Sequence, residues 1–161
     1  MSKKGKGKTK ARAGDVATNR KARHRFEFID VFEAGIQLVG SEVKALREGK
    51  AQIGEAYAAI EEGEVWLRGA HIPPYAPAAQ ENHDPDRPRK LLLHRHEIER
   101  LIGQSARKGL TLIPTRIYFS GPRAKVELAL ARGKDTRDRR REIHDRDIAR
   151  DVARELAERN R

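Results

Sequence analysis

The chain has 161 residues, of which 37% are hydrophobic and 37% are charged, and its formal net charge is +11. This length and composition predict one domain with a modest core and extensions at its ends. The basic balance favours a polyanionic partner, because Lys and Arg release the counterions of phosphates that they neutralise. The chain has no cysteine, which excludes disulfides and zinc fingers of the cysteine type.

The positive charge is concentrated at the two ends of the chain. Residues 1–25 hold ten Lys and Arg against one Asp, and residues 132–161 hold 11 against eight acidic residues. The segment between them is nearly neutral, so an RNA-binding surface there must be a local patch. No apolar run approaches the ~20 residues of a membrane span, and the N-terminus lacks the apolar segment of a secretory signal. We therefore expect a cytoplasmic protein without membrane contact.

The N-terminal segment is predicted to be a basic arm followed by a denser basic run. Residues 1–18 are rich in Lys, Gly and Ala without any hydrophobic period, which predicts disorder. Whether this arm contacts RNA stays open. Residues 19–25 lead directly into the first strand and are held in register with its surface, which favours contact with phosphates. The polar side chains of this run that we single out are Asn19, Arg20, Arg23 and His24.

A long strand is predicted over residues 26–39. From Phe32 onward its apolar residues alternate with polar ones, which places Glu33 on the opposite, open face. The alternation slips near Val31 and Phe32. Such a slip predicts a bend or bulge, which helps a small sheet to close into a barrel.

A short basic helix is predicted over residues 42–48. Ser41 is a suitable N-cap, and Gly49 is suitably placed to end the helix. Lys44 and Arg47 lie three residues apart and share a stripe that differs from the core-facing one.

The rest of the middle segment predicts more short strands and one longer helix. A hairpin spans residues 57–67, in which Trp66 either packs at the edge of the core or stacks on a base. Residues 73–88 hold five of the seven prolines and are predicted to form a long loop. Arg89 and Lys90 precede the next strand, and alternation in the last strand places Lys125 opposite the core. The predicted elements after the loop are a strand over 91–93, a helix over 94–106, and strands over 110–119 and 124–130.

About six strands that do not alternate regularly with helices exclude a parallel sheet. They predict a mainly β protein, a small closed or partly closed antiparallel barrel with two or three helices. In the tail, Ile148, Val152 and Leu156 repeat every four residues along a charged segment, which indicates a marginal helix. We predict that residues 132–161 are disordered when free and helical in a binding channel.

The sequence shows no pattern of catalytic residues. It has no cysteine nucleophile, no Gly-rich phosphate loop and no complete set of metal ligands. His94 and His96 could support an acid–base or metal-dependent RNA-cleaving site, but two imidazoles beside a basic surface favour RNA contact instead. We expect a binding protein that is not an enzyme and has no cofactor and no metal.

Several motifs occur in a consistent order between residues 19 and 150, and together they closely resemble the small protein B family. This family comprises the SsrA-binding proteins, which bind transfer-messenger RNA. The motifs include Asn19-Arg-Lys-Ala-Arg-His24, Phe32-Glu-Ala-Gly35, Gly40-Ser-Glu-Val-Lys-Ala-Leu-Arg-Glu-Gly-Lys-Ala51, Arg89-Lys-Leu-Leu-Leu93, Lys125-Val-Glu-Leu128 and Ala131-Arg-Gly-Lys134.

The resemblance implies a small antiparallel β-barrel of the oligonucleotide-binding type over residues 19–131. This barrel would bind the tRNA-like domain of transfer-messenger RNA at its elbow and D-arm. By the family pattern, Glu33, Leu92 and Lys125 are the expected primary RNA contacts. The expected secondary contacts are Asn19, Arg20, Arg23, His24, Lys44, Arg47, Arg89 and Lys90.

The resemblance also implies that the protein acts on a stalled ribosome, which the charged RNA enters with elongation factor Tu. The tail would lie in the vacant A site and messenger channel, near the small-subunit RNA of the decoding centre. Its implied contacts are Lys134, Asp138, Arg139 and Arg140. Asp135 and Thr136 interrupt a run that is usually more basic, so the early tail contacts are less well supported. We expect a monomer; the alternative is a nonspecific basic RNA-binding or ribosome-associated protein.

Overall fold

The computed structural model describes residues 14–106, 109–134 and 136–160. These residues form one sheet of seven strands with helices at its ends and edges. The strands are β1 (Asp15–Thr18), β2 (Phe26–Ile36), β3 (Tyr57–Glu61), β4 (Glu64–Arg68), β5 (Arg89–Leu92), β6 (Leu110–Ser120) and β7 (Arg123–Gly133). The α-helices are α1 (Ala22–Arg25), α2 (Gly40–Arg47), α3 (Arg95–Ser105) and α4 (Thr136–Arg159), and a 3₁₀ helix covers Ala76–Glu81.

Strand pairing closes the sheet on itself. The neighbours run β6-β3-β4-β5-β2-β7, and β7 pairs again with β6, while β1 pairs with β6. The pairings between these strands are antiparallel. The predicted mainly β, antiparallel architecture is therefore confirmed, with seven strands in place of about six. The predicted bulge is also present, although it lies between Phe28 and Asp30 of β2, slightly before the predicted position.

Alternation along the two long strands β2 and β7 builds the core. Phe32 of β2 lies opposite Leu128 of β7, and Ala34 lies opposite Val126, with all four side chains buried inside the barrel. On the outer face, Ala22 of α1 covers a second, smaller cluster that contains Ile113, Ala129 and Ala131. Helix α1 thus covers one part of the outer face of the barrel, and the part around Glu33 remains open.

Helix α2 begins two residues before its predicted start, and Ser41 does not cap it. Its N-cap is Val39, which has no polar side-chain atom for a capping bond, and Ser41 lies inside the helix. The Ser41 hydroxyl is hydrogen-bonded to Nδ1 of His83 at 2.9 Å. The predicted end at Gly49 is confirmed by the left-handed backbone of this residue, with φ of +72°. Leu46 on the inner side of α2 is fully buried and seals one end of the core.

Two predicted boundaries change. Residues 15–18, predicted as part of a disordered arm, form β1, because the free edge of β6 offers them a ladder of hydrogen bonds. Strand β1 thus extends the sheet to Asp15, and residues 1–13 of the predicted arm lie outside the described residues. Arg89 and Lys90 lie within β5 and do not precede it.

The tail forms α4, a helix of 24 residues. Its apolar residues Ile148, Val152 and Leu156 are each about half exposed, at 48%, 51% and 53%. Such a helix gains little from tertiary packing. That it is disordered in the free protein remains a prediction. Among the described helices, none combines the length and hydropathy needed to span a bilayer.

Candidate nucleic-acid interface

A groove with a volume of about 450 Å³ lies on the outer face of the barrel, where β2, β5 and β7 are neighbours. The strand register brings its residues together, because Gly35 of β2 lies opposite Leu92 on one side and Lys125 on the other. Glu33 is two residues before Gly35 and shares its face. The residues that line the groove are Glu33, Gly35, Leu92, Leu93, His94, Glu97, Arg123, Ala124 and Lys125.

Gly35 forms the floor of this groove. A Cβ atom added to it would lie 3.3 Å from the Cβ atom of Leu92, which is closer than ordinary packing allows. Glycine therefore lets the Leu92 side chain lie across β2, where 53% of the residue is exposed to solvent. An exposed leucine in this position offers an apolar surface to a ligand.

Glu33 and Lys125 form the polar part of the groove. Lys125 Nζ donates to Glu33 Oε1 at 2.5 Å, and the hydroxyl of Tyr118 on β6 donates to Glu33 Oε2. The pKa of the Glu33 carboxyl is lowered, mainly by the hydrogen bond from Lys125 and secondly by the hydrogen bond from Tyr118. Glu33 is thus a fixed, ionised acceptor, and 54% of its side chain is exposed.

Arg116 lies two residues before Tyr118 on β6 and supports the contact between Tyr118 and Glu33. Its guanidinium lies 4.1 Å from the centre of the Tyr118 ring and is paired with Asp15 and Glu127, each at 2.8 Å. Burial, followed by the hydrogen bond to Glu33, raises the pKa of Tyr118 to about 12. The phenol is therefore protonated at neutral pH and available as a donor.

Two residues expected to contact RNA are buried. Arg89 has no exposed surface, because β5 turns it into the barrel, where its guanidinium pairs with Glu42 and donates to the carbonyl oxygens of Ala70 and Pro85 at 2.9 and 3.0 Å. Asn19 is 4% exposed. Arg89 has no accessible surface with which to reach a phosphate, and Asn19 has very little. Their side chains contact other parts of the barrel, and their contact with RNA stays a prediction.

The side-chain amide of Asn19 has internal partners. It donates to the carbonyl oxygen of Pro114 at 3.2 Å and to that of Ile53 at 3.4 Å. Asn19 therefore satisfies buried backbone acceptors of β6 and of the segment before β3.

Lys90 lies on the outer side of β5. It donates to Glu64 Oε1 at 2.9 Å and lies opposite Trp66 in the neighbouring strand. Because Val65 and Leu67 point into the core, Trp66 points outward, where it is partly buried. Lys90 and Leu92, two residues apart, share the outer face of the strand.

The remaining secondary cations are exposed, and three of them lie over aromatic rings. The guanidinium of Arg23 is 4.8 Å from the ring centre of Phe28, and that of Arg47 is 4.8 Å from that of Phe119. Lys44 Nζ is 5.7 Å from the ring centre of Tyr75. Such stacking holds a cation in place while it keeps polar N–H groups available to phosphates. Arg20 precedes α1 and His24 lies within it, and both are exposed.

Comparison with known proteins places this chain in a family. Residues 16–158 match the family model described as SmpB protein. The chain belongs to the SmpB family. An SsrA-binding protein of Mycobacteroides abscessus is 56% identical over 144 residues, which cover 89% of this chain and 91% of the relative. An SsrA-binding protein of Mycolicibacterium vanbaalenii is 50% identical over 159 residues, 99% of this chain and 96% of the relative.

A solved structure described as "tmRNA-SmpB: a journey to the center of the bacterial ribosome" contains a chain similar to this SmpB family member. The TM-score is 0.63 and the sequence identity 50%, and the match covers 74% of this chain and 84% of that chain. The predicted resemblance to the small protein B family is therefore confirmed.

The first residues of the tail are anchored to the barrel of this SmpB family member. Lys134 Nζ donates to the carbonyl oxygen of Arg23 at 2.9 Å. The backbone N–H of Lys134 donates to the carbonyl oxygen of Arg25 at 3.0 Å. Arg140 is exposed. The side chains of Asp138 and Arg139 lie outside the described residues, so their contacts with the ribosome stay predictions.

The two histidines considered for catalysis lie at the start of α3. Their rings stack with centres 5.5 Å apart, and the His94 backbone N–H donates to Glu97 Oε1 at 3.3 Å in a capping box. His94 thus starts the helix at the edge of the groove. Within the described ranges, no group of three or more His, Cys, Asp or Glu is placed to hold a metal ion.

Sequence reasoning missed Arg116, Tyr118 and Arg123. The first two lie two residues apart on a strand, so alternation could have placed both on the face opposite the buried Ile117. That Tyr118 contacts Glu33 of β2 could not be inferred from the sequence, because this contact depends on the pairing of β6 with β7 and of β7 with β2.

Proposed function

We propose that this chain binds the tRNA-like domain of transfer-messenger RNA through the groove at Glu33 and accompanies this RNA to stalled ribosomes in trans-translation. The observation that carries the proposal is that Glu33, Leu92 and Lys125, three residues of the family pattern that lie far apart in sequence, line one groove. Membership in a family whose relatives are named SsrA-binding proteins supports the choice of RNA.

The three side chains suit recognition of folded RNA. Structured RNA is bound mainly through its shape, its phosphates and 2′-hydroxyls, and its unpaired bases. Lys125 supplies a donor for phosphate, Glu33 an acceptor for a hydroxyl or amino group, and Leu92 an apolar contact for an exposed base. The groove therefore offers one partner for each of these RNA groups.

The second part of the proposal concerns the ribosome. The tail, charged along its length and only marginally stable as a helix, suits a channel lined by RNA, where Lys134, Asp138, Arg139 and Arg140 would contact small-subunit RNA near the decoding centre. Elongation factor Tu would take part indirectly, through the charged RNA that it carries. This role is one of binding and delivery, without catalysis by the chain.

Competitive binding tests the proposal. Labelled tRNA-like domain is titrated with the protein at near-physiological salt in the presence of excess ordinary tRNA, for wild type and Glu33→Ala. We expect wild-type binding to survive the competitor and the variant to bind about tenfold more weakly, since loss of a charge-assisted hydrogen bond costs about 1.5–3 kcal/mol.

Glu61→Ala is the matched control. Glu61 is also an exposed carboxylate in an ion pair, with Arg68 at 2.6 Å, but it lies on β3, outside the lining of the groove. Its loss should leave RNA affinity unchanged. Binding that ordinary tRNA competes away, or that Glu33→Ala does not weaken, would contradict the proposal and favour a nonspecific basic RNA-binding protein with a steep salt dependence.

A further inference from the structure

Tyr118 lies next to the groove and contacts its carboxylate, yet the family pattern used above does not include it. We propose that Tyr118, supported by Arg116, is a positioning residue that orients the Glu33 carboxylate toward the groove, so that this carboxylate accepts a hydrogen bond from a hydroxyl or amino donor of the RNA. This inference rests on the proposed function, and it names the ligand chemistry of the same site.

The first step of the argument is the number of acceptor positions on Glu33. A carboxylate offers about four lone-pair positions on its two oxygens. Lys125 occupies one position on Oε1 and Tyr118 one on Oε2. With both oxygens held from β6 and β7, the carboxylate cannot rotate freely. Its remaining lone pairs are available to a donor in the groove that Glu33 lines.

The second step is the rigidity of Tyr118 itself. Its ring is stacked against Arg116 at 4.1 Å, and Arg116 is fixed by Asp15 of β1 and Glu127 of β7. Glu127 Oε1 also accepts from the hydroxyl of Thr115 at 2.9 Å. The phenol is therefore held by contacts that reach across β1, β6 and β7, which pre-organises the donor before any ligand binds.

The third step is the charge of the network. The carboxylates of Asp15 and Glu127 pair with Arg116, and that of Glu33 pairs with Lys125. Of these groups, only Glu33 and Lys125 line the groove. A phosphate at Glu33 would meet an ionised carboxylate, whereas a 2′-hydroxyl or a base amino group would find an acceptor there.

The protonation states agree with these roles. The pKa of Glu33 is lowered, first by Lys125 and then by Tyr118, so the carboxylate is ionised at neutral pH. The pKa of Tyr118 is raised to about 12, first by burial and then by its bond to Glu33, so the phenol keeps its proton. The charged or titratable groups that act on Glu33 are Lys125, Tyr118 and Arg116.

The test is a double-mutant cycle on the full chain with Tyr118→Phe and Glu33→Gln. Phenylalanine keeps the ring against Arg116 and removes only the hydroxyl. The dissociation constant of the tRNA-like domain is measured for wild type, both single variants and the double variant. Tyr57→Phe on β3 is the matched control, because Tyr57 is 47% exposed and lies outside the lining of the groove.

We expect Tyr118→Phe alone to weaken binding about fivefold to tenfold. When Glu33→Gln is already present, adding Tyr118→Phe should weaken binding by less than about twofold, because the hydroxyl acts through the carboxylate. Titration of the free proteins by carboxyl-resolved NMR should also show a higher Glu33 pKa in Tyr118→Phe than in wild type. Tyr57→Phe should change neither quantity.

Each contrary result has a distinct meaning. Three results would overturn the role of Tyr118 and leave the proposed function intact. In the first, Tyr118→Phe binds RNA like wild type while Glu33→Gln binds more weakly. In the second, Tyr118→Phe costs the same affinity with and without Glu33→Gln, and in the third, the Glu33 pKa is unchanged in Tyr118→Phe. Equal binding of wild type and Glu33→Gln would overturn both, because the groove would then not use its carboxylate.

Discussion

Glu42 carries a carboxylate into the interior of the barrel, where its side chain has no exposed surface. Its two oxygens pair with Arg87 and Arg89. Because Arg89 also donates to the carbonyl oxygens of Ala70 and Pro85, this buried pair joins α2, β5 and the loop over residues 73–88. A carboxylate near the start of α2 is further favoured by the helix dipole.

Replacing one partner of this pair should destabilise the fold. In Glu42→Gln, the guanidinium of Arg89 stays buried without a compensating charge. We expect the free energy of unfolding to fall by about 3 kcal/mol, the lower end of the roughly 3–5 kcal/mol lost when one member of a buried ion pair is removed. Urea denaturation followed by circular dichroism measures this change.

Glu99→Gln provides the same chemical change at the surface. Glu99 pairs with Arg95 one turn earlier on α3 at 3.5 Å, and 68% of its side chain is exposed. Its loss should change the free energy of unfolding by no more than about 0.5 kcal/mol. If both variants unfold at the same urea concentration, Glu42 is not the link between α2 and β5 that the contacts indicate.

At the scale of elements, glycines decide how two helices are built. Gly49 follows α2 with φ of +72°, and its N–H donates to the carbonyl oxygen of Leu46 at 2.9 Å. Gly103 lies inside α3. Neither position has an atom within 4 Å of an added Cβ, so a substitution at either acts through backbone conformation alone.

The two alanine variants should therefore change stability in opposite directions. Gly49→Ala should lower the free energy of unfolding by about 1 kcal/mol, because alanine disfavours the left-handed region. Gly103→Ala should raise it by about 0.5–1 kcal/mol, because alanine favours the helix. Urea midpoints of the two variants beside wild type measure both effects. A stabilising Gly49→Ala would show that α2 does not end in this conformation.

At the scale of the whole molecule, the barrel and the tail are built differently. The barrel buries most of its apolar residues in a main core and a second, smaller cluster, whereas the apolar residues Ile148, Val152 and Leu156 of α4 are exposed. The two parts meet where Lys134 contacts α1. This arrangement suits a division of labour in which the barrel binds one RNA and the tail contacts the ribosome.

Removing the residues after Arg132 should separate these activities. We expect affinity for the tRNA-like domain to stay within about twofold of wild type, because the groove keeps its lining residues, while peptide tagging on stalled ribosomes is lost. Binding assays and a reconstituted tagging reaction measure the two effects. If the shortened chain loses RNA binding as well, while its thermal unfolding midpoint is unchanged, the tail belongs to the primary RNA site.

Local sequence was sufficient for much of this molecule. Alternation between polar and apolar residues is a property of neighbouring positions, so the open face of Glu33 and the outward direction of Lys125 were predicted correctly. The hairpin over residues 57–67, the end of α2 at Gly49 and the family likewise followed from patterns within the chain.

Tertiary structure alone decided which residues meet. Nothing near Arg89 in sequence shows that Glu42, 47 residues away, takes its guanidinium into the core. Residues 15–18 form a strand because β6 provides an edge, and Tyr118 reaches Glu33 across the pairing of β6, β7 and β2. Burial and cross-strand contact depend on partners that are distant in sequence, and closure of the barrel brings those partners together.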